Sequence, residues 1–134
     1  MKHFTGILFL LLLCFSCTPV HDAPLEQALT LAGDNRKELQ QVLGHYEGDS
    51  LKHKAACFLI ENMIGKGTIR YLLRESDSCY IQQEPEPDLT CITADYLIEN
   101  IDLAFEVWQK YPWCKQLSFR EFCRNILPYR LKQE

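Results

Sequence analysis

The sequence predicts a mainly α-helical protein, a small bundle of about five helices that follows an N-terminal signal peptide. Two observations carry this prediction. After residue 22, apolar residues recur at helical spacing, and capping residues and glycines divide the chain into segments of helical length. Before that point, Lys2 and His3 precede an apolar run at residues 7–15, which is typical of an export signal and too short to span a bilayer.

The N-terminal segment also predicts where the protein resides. Residues 1–16 form the predicted signal peptide, and Ser16-Cys17 looks like a lipoprotein cleavage site. We therefore predict lipidation of Cys17 and a short tether over residues 17–22. The lipid anchor would make the membrane a partner, as in a periplasmic or outer-membrane-anchored lipoprotein of the cell envelope. Plain cleavage and a retained N-terminal anchor are the alternatives.

The predicted helical domain covers residues 23–134 and begins with three helices. The first is predicted over residues 23–32 and the third over residues 51–63, and the second runs from its cap to about residue 43. Asp34 or Asn35 is the expected cap of the second helix, and Gly44 is its expected end. Asp49 or Ser50 is the expected cap of the third helix. The side of the third helix that is predicted to face the core comprises Leu51, Ala55, Phe58, Leu59 and Asn62.

A loop-rich insertion is predicted at residues 68–90, where helical periodicity is lost. Residues 69–73 fit either a strand or a helical turn. Residues 82–88 contain two prolines and two glutamates, which favours an exposed, extended loop.

The most informative stretch is a long predicted helix at residues 94–108, capped by Thr93. At about 100° per residue, one apolar face collects Ala94, Leu97, Ile98, Ile101, Ala104, Phe105 and Trp108. A second apolar strip on the other side comprises Tyr96, Leu103 and Val107, and the acids Asp95, Glu99, Asp102 and Glu106 fill the arc between. A helix with one narrow polar stripe is normally enclosed, so we expect a protein domain to cover the Tyr96 strip.

A second helix follows after a turn marked by Pro112 and Trp113. Ser118 and Glu121 have the spacing of a capping box, in which each side chain binds a backbone N–H of the other residue. Pro128 is expected to end this helix, because proline lacks an N–H and restricts the residue before it.

Four segments together resemble the N-terminal helical region of bacterial transglutaminase-like lipoproteins. They are LAGDNRKELQQVL (31–43), FLIENM (58–63), ITADYLIENIDLAFEVWQKYPW (92–113) and LSFREFCRNILPYR (117–130). In that family the region precedes a papain-like core with a Cys-His-Asp triad. Ile64-Gly65 departs from the Pro-Gly usual there. The resemblance implies that this chain stops before the catalytic core, either as a truncated gene product or as a stand-alone module.

No enzyme activity is predicted for the chain itself. All four histidines precede the cysteines of the helical domain, so the Cys, His, Asp order of the resembled family cannot be assembled. No nucleophile elbow, phosphate loop, HExxH motif or dinucleotide fingerprint occurs in the sequence, so no catalytic residue, cofactor or metal is predicted. Without residues 1–16, which hold one lysine and no acid, the formal charge changes from −4 to −5. This charge argues against a nucleic-acid partner.

The rival hypothesis is a small periplasmic thiol enzyme or a metal-binding protein. His53, Cys57 and Glu61 lie at i, i+4 and i+8 of the third helix and therefore on one line. An imidazole beside a thiol can make it nucleophilic, and all three side chains are metal ligands. A solvated face with an incidental cysteine is the alternative interpretation of the same spacing.

The remaining cysteines leave their pairing open. Five lie in the predicted helical domain, and an odd number leaves at least one unpaired. Cys79 and Cys91 flank the proline-bearing loop and are the predicted disulfide. Cys114 with Cys123 is the other pair considered, and a buried thiol at Cys123 is the alternative there. Their spacings fit no zinc finger.

Two further groups have functional and structural interpretations. The acids of the long helix could bind a cation or dock a partner, but a solvated face is favoured because no Glu-x-x-His pattern accompanies them. Trp108, Tyr111 and Trp113 could stack on a sugar. For Trp108 core packing is favoured, because it continues the apolar face.

Overall fold

The computed structural model describes residues 23–69, 71–74, 79–82 and 85–127, and this part of the chain is mainly α-helical, which confirms the predicted fold class. Its α-helices are α1 (Ala23–Leu31), α2 (Arg36–His45), α3 (Ser50–Asn62), α4 (Ala94–Lys110) and α5 (Phe119–Asn125). The predicted signal peptide, the tether with Cys17, and Pro128 lie outside the described residues. Among the described helices, none combines the length and the apolar character that crossing a membrane requires.

Short strands form two antiparallel ribbons between α3 and α4. The strand β1 (Gly67–Thr68) pairs with β4 (Glu86–Pro87), and β2 (Tyr71–Arg74) pairs with β3 (Cys79–Gln82). In the second ribbon Tyr71 faces Gln82 and Arg74 faces Cys79. Of the two interpretations of residues 69–73, the strand is therefore the one found at residues 71–73, which belong to β2.

The sequence predicted that residues 82–88 form an exposed loop, but the last of these residues, Asp88, is buried. Asp88 is buried, accepts a hydrogen bond from Thr68 Oγ1 at 3.0 Å, and donates its backbone N–H to the carbonyl of Lys66 at 3.1 Å. Leu89 beside it joins the core. Burying a polar group is costly without such partners, and here β1 and the residue before it supply them.

Local capping begins three of the helices as predicted. The Asp49 side chain accepts hydrogen bonds from the N–H groups of Leu51 and Lys52, both at 3.1 Å. Thr93 caps α4 through the N–H of Tyr96 at 3.3 Å. The capping box of α5 is complete: Ser118 N–H donates to the Glu121 carboxylate, and Glu121 N–H donates to Ser118 Oγ. Each bond satisfies an N–H that a helix start leaves without a partner.

The start and the end of α2 differ from prediction. Asn35 precedes α2 but makes no capping hydrogen bond; its amide instead donates to the carbonyls of Leu89 and Ile92, both at 2.9 Å. Gly44 does not end α2, which continues to His45. A helix tolerates one glycine at a cost of about 1 kcal/mol, and burial of Tyr46 just beyond anchors this last turn.

The core face of α3 is rotated from its predicted position. Leu51 is 45% exposed and Asn62 is also exposed, whereas Ala56, Ile60 and Met63 are buried. The reason is that α3 packs against α1, α2 and α4 together, so the side enclosed by all three becomes the core side. Periodicity alone could not locate it.

The core joins the helices around α4. Leu97 and Ile101 of α4 are fully buried, and α2, α3 and the turn at residues 114–116 all pack against this helix. At its C-terminal end the Trp108 and Phe122 rings stack with centroids 4.3 Å apart, and Phe105 meets Phe122 edge-on at 4.8 Å. This contact confirms the core role predicted for Trp108.

Candidate functional site

The apolar strip of α4 lies largely at the surface of the described structure. Tyr96 is 51% exposed and Leu103 is 54% exposed, while Val107 is half-buried. Tyr111, which ends the helix one turn later, is 43% exposed. Asn100, on the same side of α4, donates to the Leu127 carbonyl at 3.4 Å. The strip thus leaves apolar surface open to solvent on a helix whose other face is enclosed.

One acid of the stripe beside this strip, Asp102, binds side chains from other elements of the fold. Asp102 Oδ1 accepts hydrogen bonds from Tyr46 Oη and Lys52 Nζ, both at 2.8 Å. The Tyr46 hydroxyl lies also 3.1 Å from the Ile98 carbonyl. Asp102 therefore ties α4 to α3 and to the end of α2, although it is exposed, as are Asp95, Glu99 and Glu106. The four acids form a solvated face, and Asp102 in addition contacts other elements of the fold.

The same contact shifts two pKa values. Burial would raise the pKa of Asp102, but the hydrogen bonds from Lys52 and Tyr46, together with the positive charge of Lys52, lower it on balance. The pKa of Tyr46 is raised, mainly by burial and further by its hydrogen bond to Asp102. Asp102 is therefore held as a carboxylate and Tyr46 as a neutral donor near neutral pH.

The three residues of the rival hypothesis do lie beside one another. The Sγ atom of Cys57 is 3.7 Å from Nδ1 of His53, and both side chains are partly exposed. Glu61 lies one turn further along α3. The three border a cavity of about 520 Å³ whose other walls are Leu25, Lys54, Phe58 and Phe119. The cavity, which joins α1, α3 and α5, was not visible in the sequence.

No group of side chains suited to binding a metal ion occurs in the part of the chain that the structure describes. There, no three His, Cys, Asp or Glu side chains converge as a metal ion would need. What the pair of His53 and Cys57 does present is a thiol beside a base.

The other cysteines differ in their surroundings. Cys114 and Cys123 are free, buried thiols in this structure, and burial raises the pKa of Cys114 and raises that of Cys123 to about 11. Cys91 is exposed, with its Sγ atom 3.6 Å from the carbonyl oxygen of Pro87. The side chain of Cys79 lies outside the described residues, so the Cys79–Cys91 disulfide stays a prediction.

Tyr111 and Trp113 form the remaining exposed aromatic pair. Trp113 is 63% exposed, and its ring centroid lies 6.3 Å from that of Tyr111 at an angle of 31°. Lys110 Nζ lies 5.9 Å from the Tyr111 ring centroid. Trp108 packs against the core, so only Tyr111 and Trp113 of the three remain candidates for stacking on a sugar.

We compared the chain with protein-family models, with curated proteins and with solved structures, and none of the three comparisons found a match. The described residues form a small helical domain with an exposed apolar strip on α4 and, on α3, a thiol beside a cavity.

Proposed function

We propose that this chain is a non-catalytic helical module of an exported, lipid-anchored protein and that it binds a further protein domain through the Tyr96 strip. The observation that carries the proposal is Leu103, which is 54% exposed although it lies on the helix at the centre of the fold. The resemblance to the leading region of transglutaminase-like lipoproteins names the partner: a papain-like Cys-His-Asp domain.

The surface around Leu103 supports a protein partner. From Tyr96 to Val107 the strip extends about 16 Å along α4, since a helix rises about 1.5 Å per residue. Exposed apolar residues that are grouped and bordered by polar ones are typical of interaction sites. The exposed acids Asp95, Glu99 and Glu106 border the strip on one side. A matching partner therefore has an apolar centre and a basic edge.

Binding measurements test this proposal. The gene is read beyond codon 134 for a Cys-His-Asp domain, which is expressed separately and titrated calorimetrically with the full chain. Leu103→Gln is expected to weaken binding by about tenfold or more, because it places an amide at the centre of an apolar contact.

Leu31→Gln is the matched control, because Leu31 is 52% exposed at the end of α1, away from α4. It is expected to leave the affinity unchanged. The proposal is wrong if no such domain is encoded, or if the two variants weaken binding equally.

The rival function is favoured by one observation, the 3.7 Å contact between Cys57 and His53. It supports a reactive thiol and gives no support to a metal-binding protein. A reactive thiol on α3 is compatible with a binding strip on α4, so the two can be tested separately.

A further inference from the structure

Cys57 differs from the buried cysteines in three ways that bear on its reactivity. It is partly exposed, it contacts an imidazole nitrogen at 3.7 Å, and it borders a cavity of about 520 Å³. Thiols react as thiolates, and an adjacent imidazole can accept the thiol proton. Access, a base and space for a reagent therefore coincide at one sulfur atom.

The cavity walls indicate what kind of molecule would fit. Leu25, Phe58 and Phe119 supply apolar surface from α1, α3 and α5. Lys54 adds a positive charge three residues before Cys57, and Glu61 adds a negative charge four residues after it, so the two charges lie at opposite ends of this wall. A negatively charged group would therefore be attracted at the Lys54 end only. An aromatic or apolar group with a negative charge would bury its ring against the phenylalanines and place its charge near Lys54.

We propose that Cys57 is a site of thiol–disulfide exchange with small disulfides that carry an aromatic or apolar group and a negative charge. The Cys57 proton passes to His53 Nδ1, and the sulfur attacks one sulfur of the disulfide. A bond forms between Cys57 and that sulfur while the original S–S bond breaks. The other half leaves with the electron pair as a thiolate, so Cys57 is oxidised and half of the reagent is reduced.

The buried cysteines provide an internal comparison. Cys114 and Cys123 are shielded from solvent, and burial raises the pKa of each thiol. Both the low thiolate fraction and the lack of access predict slow exchange in the folded chain. Unfolding should remove this difference in exchange rate, because all the cysteines are then exposed to solvent.

The test uses the reduced full chain and limiting DTNB, an aromatic disulfide with carboxylates, with modification of each cysteine quantified by peptide mass spectrometry. At about pH 6.5, Cys57 is expected to react about threefold or more faster in the folded than in the urea-unfolded chain, because only the fold holds the His53 imidazole beside the sulfur, where it can accept the thiol proton. Cys114 and Cys123 are expected to react more slowly when folded.

Two variants separate the contributions of the base and the cation. His53→Ala is expected to return Cys57 to its unfolded rate, whereas His45→Ala, an exposed histidine outside the cavity, should leave it unchanged. Lys54→Gln is expected to slow DTNB but not neutral dithiodipyridine. Circular dichroism of His53→Ala and of the more conservative His53→Gln checks folding.

The proposal fails if folding does not accelerate Cys57 or if both His53 variants react like the unaltered chain. Equal effects of Lys54→Gln on both reagents would overturn the preference for negative charge. None of these outcomes bears on Leu103, so failure here leaves the binding strip on α4 untouched.

Discussion

The two apolar faces of α4 have similar composition and opposite surroundings. Leu97, Ile101 and Phe105 are enclosed by neighbouring elements, whereas Tyr96 and Leu103 are about half exposed. Both faces follow the same helical periodicity, so periodicity shows that a face is apolar and not what covers it. Burial depends on which other elements reach the face, and α2 and α3 reach only one of the two.

Asp102 lies at the border between the enclosed face of α4 and the solvent-exposed part of the helix. It belongs by spacing to the acidic stripe, yet its carboxylate binds Tyr46 and Lys52. One edge of α4 is therefore held by polar contacts to α3 and to the end of α2, while the side chain of Leu103 on the neighbouring strip is 54% exposed. Three substitutions, one on the enclosed face, one at Asp102 and one on the exposed strip, should reduce the free energy of unfolding by decreasing amounts.

The largest effect is expected at the centre of the enclosed face. Ile101→Ala removes a fully buried side chain and leaves a cavity, so the free energy of unfolding should fall by about 2–5 kcal/mol. Urea denaturation followed by circular dichroism measures it. A loss below about 1 kcal/mol would show that the site collapses around the smaller side chain.

An intermediate effect is expected from Asp102, and it depends on pH. Because the pKa of Asp102 is lower in the fold than its ordinary value of 3.8, its stabilisation is present above that value. It is lost as the pH falls through the lower folded value. Asp102→Asn should therefore reduce stability near neutral pH, and its difference from the unaltered chain should vanish in acid.

The size of that effect is limited by solvent. The Asp102 side chain is 46% exposed, so the ion pair with Lys52 should contribute less than about 1 kcal/mol. Glu99→Gln is the control, since Glu99 is an exposed acid on the same helix and lies beyond the first turn, where the helix dipole stabilises acids. Urea unfolding of both variants is measured from acid to neutral pH. If both lose the same free energy of unfolding, a specific role for Asp102 is contradicted.

The smallest effect is expected on the exposed face. Leu103→Ala should change the free energy of unfolding by less than about 0.5 kcal/mol, because Leu103 is already more than half exposed and alanine favours helix. Thermal unfolding of the isolated chain measures this. A loss comparable to that of Ile101→Ala would mean that the chain itself covers the strip.

Features set by neighbouring residues were predictable from the sequence. The caps at Thr93 and Ser118 were predicted because a capping side chain binds an N–H two or three residues away. The end of α2 was mispredicted because glycine is only a weak helix breaker, and packing of Tyr46 outweighs it.

The candidate sites were predictable only in part. The alignment of His53 with Cys57 follows from spacing on one helix, but the cavity beside them needs Leu25 and Phe119 from other helices. Tyr46 and Asp102 are 56 residues apart, and no local pattern connects them. Asn35 was assigned a local role as a cap, and its actual partners lie more than 50 residues away.

By itself, the sequence determined the helical class, the long two-faced helix and the capping of α3, α4 and α5, because these depend on contacts within about one turn. Tertiary structure decided which face of α4 is enclosed, which side of α3 forms the core, and that Asp102 joins three helices. Those outcomes depend on which distant segments meet, and the free energy of burial is realised only where they do.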